Sequence, residues 1–148
     1  MSEWLLISRV KLSVKSDYAA RAVLALARNS QGDVPQRVEA LAEAHGIPPN
    51  YLVQILIELK SRNIVKSVRG KEGGYLLAKP PSEITLGEII RCTNGQVFDT
   101  PAMTDPQCPA ELRLAWCELQ KQLEEASDRI NFQVLLERAN GRSTMYDI

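Results

Sequence analysis

Two carboxamides, Asn50 and Gln54, lie four residues apart, with a tyrosine, Tyr51, beside the first. Asn and Gln side chains can pair an acceptor and a donor with adenine at once, and a tyrosine hydroxyl can reach a phosphate. Around them Leu52, Ile55, Leu56 and Leu59 recur at i, i+3, i+4 and i+7, the spacing of a helix with one packed face. Opposite that stripe the pattern places Asn50, Tyr51, Gln54, Glu58 and Ser61, with Lys60 alongside. A few residues on, Arg69-Gly70-Lys71-Glu72-Gly73-Gly74 is a glycine-rich basic tip. Arg69 and Lys71 suit a narrow, electronegative minor groove, and Gly73 with its neighbours lets backbone approach closely. Thiol chemistry rests on Cys92, Cys108 and Cys117, whose spacings match no compact metal motif, and imidazole chemistry on a single histidine, His45. No Ser/His/Asp set, paired carboxylates or phosphate-loop glycines are present, so an enzyme is the least supported class.

The elements that must carry these residues follow from period and punctuation. Tyr18, Ala19, Ala22, Val23 and Leu26 predict a helix from Ser16, ended by Ser30-Gln31-Gly32-Asp33. A second, short helix is expected from about Gln36 to His45, capped by Gly46. After Pro48-Pro49 comes the reading helix, then two strands, Ile64–Val68 and Tyr75–Ala78, forming a hairpin around the basic tip. Thr85 with Glu88 spells a capping box that opens a helix stopping at Asn94-Gly95. Residues 96–109 read as a loop. From Pro109 a long helix carries Leu112, Trp116, Leu119, Leu123, Ala126 and Ile130 at heptad spacing, a seam suited to a partner helix. Asn131 interrupts it, and Val134, Leu135 and Leu136 start a short terminal helix expected to end at Gly141.

The order helix, short helix, turn, amphipathic helix and basic-tipped hairpin is that of a winged helix-turn-helix. The expected fold is mainly α with a small β-hairpin: a winged helix-turn-helix domain plus a long C-terminal dimerisation helix. The expected division is an extension over residues 1–10, the winged domain over 11–81, a linker helix and sensor loop over 82–109, and the dimerisation and terminal helices over 110–148.

At 148 residues, 45% hydrophobic and 24% charged, the chain can bury a core and is too apolar to be disordered. Aromatic residues at 5% argue against a stacking binder of single strands. The lack of a long apolar run, the acidic start of the chain and an odd number of cysteines predict a cytoplasmic protein without a membrane span or disulfide scaffold. The net charge of zero hides a division: residues 1–79 hold 12 basic against 7 acidic side chains, residues 80–148 hold 6 against 11. A basic half joined to an acidic half suggests that one end meets a polyanion, and with the winged helix-turn-helix order the expected partner is double-stranded DNA.

The stretches 46–56 (Gly-Ile-Pro-Pro-Asn-Tyr-Leu-Val-Gln-Ile-Leu), 65–78 (Val-Lys-Ser-Val-Arg-Gly-Lys-Glu-Gly-Gly-Tyr-Leu-Leu-Ala) and 84–90 (Ile-Thr-Leu-Gly-Glu-Ile-Ile) closely resemble the IscR/NsrR/CymR family of bacterial transcription regulators. The resemblance begins at Lys11-Leu12-Ser13. It implies a homodimer paired through the long helix, each subunit placing its third helix in a major groove and its wing in the adjacent minor groove. Asn50, Tyr51 and Gln54 match the groove-reading helix of that family and Arg69 its wing arginine; Val53 departs from the acid of some relatives. Many relatives hold an iron–sulfur cluster on three cysteines in the loop before the dimer helix, where this chain has Cys108 alone. One redox-sensing relative implies instead a two-iron cluster shared across the dimer, with two cysteines from one subunit and a carboxylate and a histidine from the other. Asp17 and His45 stand at those two positions, and imidazole ligation raises a cluster's potential.

Each of these residues has an ordinary reading too. Asp17 and His45 suit the charged ends of their helices, and free cysteines often serve as small core residues. A cluster, a thiol switch, small-molecule control and a protein-interaction module without DNA therefore stand beside one another at this level. The leading expectation is a dimeric DNA-binding repressor answering to a redox or metabolic signal.

Overall fold

The computed structural model describes residues 12–146; the expected extension over residues 1–10 lies outside them. Ser13 caps α1, Val14–Arg28, by accepting from the Ser16 amide, so the helix opens two residues before the expected Ser16. A 3₁₀ turn, Ser30–Gly32, leads to α2, Val38–His45, which ends on Gly46 in the left-handed conformation (φ 65°) that its glycine predicts. Helix α3, Pro49–Ser61, has proline in its first turn, where no amide donor is required. Strands β1, Val65–Val68, and β2, Gly74–Leu77, pair antiparallel with Val65 opposite Leu77 and Val68 opposite Gly74. Helix α4, Leu86–Asn94, has Thr85 at its cap accepting from the Glu88 amide. The reciprocal half of the expected box is not formed, because the Glu88 carboxylate is taken by Lys79. Residues 96–109 enclose a 3₁₀ turn, Pro101–Met103, before the long helix α5, Ala110–Arg129.

One core gathers the inner faces of α1, α2, α3 and α4 with Ile64, Val65 and Leu77 of the hairpin region. The leucine stripe of α3 is wholly buried in it. The last helix differs from its expectation. Helix α6, Phe132–Tyr146, starts at a fully buried Phe132 and runs through Gly141 instead of stopping there. Asn131 caps it by accepting from the Val134 amide, and Leu135 and Leu136 pack against the shared core, so α6 folds back over α1. Gly141 is exposed with nothing packed against it, and a single glycine costs a helix interior only about 1 kcal/mol, too little by itself to end α6. The junction is stitched by backbone: Leu86 donates to Ile130 (2.9 Å) and Phe132 to Ile84 (3.0 Å).

Candidate nucleic-acid interface

Helix α3 turns Leu52, Ile55, Leu56 and Leu59 inward and leaves Asn50, Tyr51, Gln54, Ile57, Lys60 and Ser61 exposed. Glu58 departs from the sequence reading, which set it on the outer face. It is half-buried, salt-bridged to Lys15 of α1, and one of its carboxylate oxygens is buried without a hydrogen-bond partner. The turn of 100° per residue carries position 58 round toward α1 and α4, where a lysine is available to hold the charge. Tyr51 packs edge-on against Tyr18 (ring centroids 5.8 Å apart), and the Arg21 guanidinium stands 5.6 Å from the Tyr18 ring centre. The start of α3 is thereby braced on α1. At its other end Lys60 donates to the Ser67 hydroxyl of β1 (2.8 Å) and the Ser61 hydroxyl turns back onto the Glu58 carbonyl (2.6 Å). Asn50, Tyr51 and Gln54 thus form the outward polar face, with Ile57 an exposed apolar residue beside them that the polar pattern concealed.

The wing is held by more than its own ladder. Gln36, just before α2, exchanges two backbone hydrogen bonds with Tyr75 of β2, both 2.8 Å. Arg37, the N-cap residue of α2, makes no capping hydrogen bond and instead donates from its guanidinium to the Lys71 carbonyl at the wing tip (2.8 Å). The tip closes through the Gly73 amide on the Gly70 carbonyl (3.0 Å), with Gly70 at φ 115°. Arg69 and Lys71 are exposed on that tip, and a β-carbon at Gly73 would strike the Val68 carbonyl.

The candidate ligands of a metal do not converge in the same way. Among the described residues no group of three His, Cys, Asp or Glu side chains gathers to hold a metal ion. Cys92, on α4, is half-buried with its thiol on the Glu58 carbonyl (3.5 Å); burial pushes that thiol's pKa up, and Glu58 adds to the rise against Arg62 and Lys15. Cys108 is buried and Cys117 exposed on α5. Asp17 pairs with Arg21 one turn on (2.8 Å), and His45 ends α2, partly exposed. The loop is fastened to α5: Phe98 lies on Trp116 (6.5 Å), Gln120 donates to the Phe98 carbonyl (2.8 Å), and Arg113 to the Cys108 carbonyl (2.8 Å). The donors of one chain do not fit an iron–sulfur cluster held by that chain alone.

Helix α5 buries none of its residues within the chain. Leu112, Leu119 and Leu123 of the heptad seam are 44%, 39% and 38% exposed, and Leu114 is 71% exposed. Leu119, Leu123 and Ala126 line a shallow groove with Gln122, Glu125 and Arg129. Trp116 is turned partly toward Phe98, and Ile130 forms the C-cap. On the opposite side Asp128 accepts from Arg91 of α4 (2.6 Å), which raises the pKa of that guanidinium.

Comparison with known proteins places these features in company. The family model described as Rrf2, iron-dependent transcriptional regulator, matches residues 12–138. An HTH-type transcriptional regulator of Mycobacterium tuberculosis is 44% identical over 86 residues, which cover 58% of this chain and 53% of that protein; this chain therefore matches about half of that relative's length. Among solved structures, T. potens IscR is 33% identical at a TM-score of 0.72, covering 87% of this chain and 88% of that one. CymR, the global cysteine regulator of B. subtilis, is 27% identical at a TM-score of 0.76, covering 86% and 97%.

Proposed function

The chain belongs to the Rrf2 family of transcriptional regulators, and from that premise we propose that it is a homodimeric, sequence-specific DNA-binding regulator of the repressor type. The observation that carries the reading is the pairing of an outward polar face on α3 with an anchored basic wing. Asn50 and Gln54 offer bidentate amides to base edges, and Ile57 an apolar contact for a thymine methyl. Tyr51 reaches the backbone phosphates, while Arg69 and Lys71 enter the minor groove beside them. Lys60 and Ser61 exchange their weak exposed bonds within the chain for phosphate contacts at the end of α3. Gly73 keeps the tip thin enough to approach the sugar–phosphate wall.

Two copies joined along Leu112, Leu119, Leu123 and Ala126, with Trp116 and Ile130 at the margins, present two reading helices to half-sites about 34 Å apart. Any signal that moves α5 relative to α4 changes that spacing. An iron–sulfur cluster enters this reading only as a group shared between two chains, with Cys108 and either Cys117 or Cys92 from one and Asp17 and His45 from the other. Its spectrum decides it: absorbance between about 320 and 550 nm in protein purified without oxygen, lost in Cys108→Ala, supports a shared cluster. A flat spectrum removes it and leaves a small molecule or protein partner as the signal.

The DNA reading is tested by selecting duplexes from a random pool and measuring affinity for the winners against salt. Phosphate contacts predict a steep linear fall of log K with log salt. Failure to enrich any duplex, or a shallow salt dependence, overturns the reading in favour of a protein-interaction module.

A further inference from the structure

Helix N-caps strongly favour Ser, Thr, Asp or Asn, whose side chains satisfy an amide of the first turn, while a cation there opposes the helix dipole. Helix α2 breaks that rule. Its N-cap residue is Arg37, with no side-chain capping bond. A local rule broken without local return points to a use elsewhere. The return is visible across the fold: the Arg37 guanidinium donates to the Lys71 carbonyl, 34 positions along the chain. This contact lies at the outer end of a line of attachment that begins with the Gln36–Tyr75 backbone pair. The inner end is fixed by backbone and cannot swing, because Gly74 sits directly against Gln36. The tip, residues 69–73, has its own turn bond from Gly73 to Gly70 and the tether from Arg37.

We propose that Arg37 is a positioning residue for DNA binding, which sets Arg69 and Lys71 against the minor groove by tying the wing tip to the start of α2. The proposal rests on the DNA-binding reading above and assigns Arg37 no contact with the DNA. Holding the tip in its bound arrangement removes an ordering cost that a loose glycine-rich loop would otherwise incur on binding.

The test uses Arg37→Ser in the full chain. Serine is a favoured N-cap, so this variant strengthens α2 while cutting the tether. The expected outcome is an unchanged or higher Tm, faster amide hydrogen exchange confined to residues 69–73, and affinity for the selected duplex weakened about tenfold at fixed salt. A purely structural residue would move Tm and affinity together. Arg37→Lys, which can still donate to the Lys71 carbonyl, is expected to recover most of the affinity. A double-mutant cycle separates tethering from direct contact: with Arg69→Ala and Lys71→Ala in place, Arg37→Ser should cost little more, since its effect passes through them. Additive losses, or a salt slope lower by one contact in Arg37→Ser alone, would make Arg37 a phosphate ligand and overturn the proposal. Unchanged exchange at residues 69–73 overturns it as well, whether or not DNA binds. Failure of the wild-type chain to select a duplex strikes the DNA reading itself.

Discussion

At position 74 a β-carbon would collide with the Gln36 carbonyl, and the backbone φ of 151° is one that residues with side chains rarely adopt. Gly74→Ala is therefore expected to destabilise the chain by about 2 kcal/mol or more, read as a shift of the denaturant midpoint, with the wing the first region to lose exchange protection. Arg69 lies exposed on the tip that this glycine supports. Arg69→Ala should leave stability within about 0.5 kcal/mol and weaken duplex binding about tenfold; unchanged affinity at fixed salt would remove its groove role. The three thiols should separate by environment. Cys117 is exposed while Cys108 is buried, and the Cys92 thiol is held up by burial, so alkylation near neutral pH should reach Cys117 first. For Cys92 the sign is fixed by linkage: its pKa is higher folded than unfolded, so the folded state keeps the proton longer. Its contribution is complete below the ordinary thiol range of about 8.5 and is lost as pH rises through and beyond it. A Cys92→Ala variant should show a flatter alkaline limb in its stability profile.

Among the elements, α3 is the one whose sequence says most, because its leucines mark the buried face and its amides the outer one. Two residues of the outer face were not legible: Ile57 is exposed although apolar, and Glu58 turns inward to a lysine of α1, distant in sequence. Arg37 left no signal for the same reason, since its partner is a backbone carbonyl in the wing. The glycine cap at Gly46 and the stop at Gly95 were legible because local geometry alone decides them. The extent of α6 was not, because one exposed glycine, Gly141, reads as a stop in the pattern yet costs a helix too little to end it. Helix α4 depends on Thr85, which accepts from the Glu88 amide and donates to Asp128 (3.3 Å). Thr85→Ala is expected to cost about 1 kcal/mol in chemical denaturation, chiefly as a lost cap. The Arg91–Asp128 pair is substantially exposed and adds well under that, so its removal should show in the coupling of α4 to α5 more than in stability.

For the whole molecule the division of charge along the chain follows the elements, with the basic half containing α3 and the wing and the acidic half containing α5. Four of the exposed large hydrophobic side chains of the described residues, Leu112, Leu114, Leu119 and Leu123, lie on α5. Leu123→Glu is expected to yield monomers by sedimentation, with α1 to α4 still folded and binding to paired half-sites reduced at least a hundredfold, since the second contact is no longer intramolecular. A variant that remained dimeric would place the seam elsewhere. The segment between residues 86 and 130 also begins and ends at one place, because Leu86 bonds Ile130 and Phe132 bonds Ile84. Its first helix, α4, is packed into the common core, while the part from residue 96 to residue 129 lies outside that core. The 96–109 loop joins α4 to α5 and contributes no residue to the core that carries α3 and the wing. An input received in that loop would reach α3 by way of α4, the helix that packs on it.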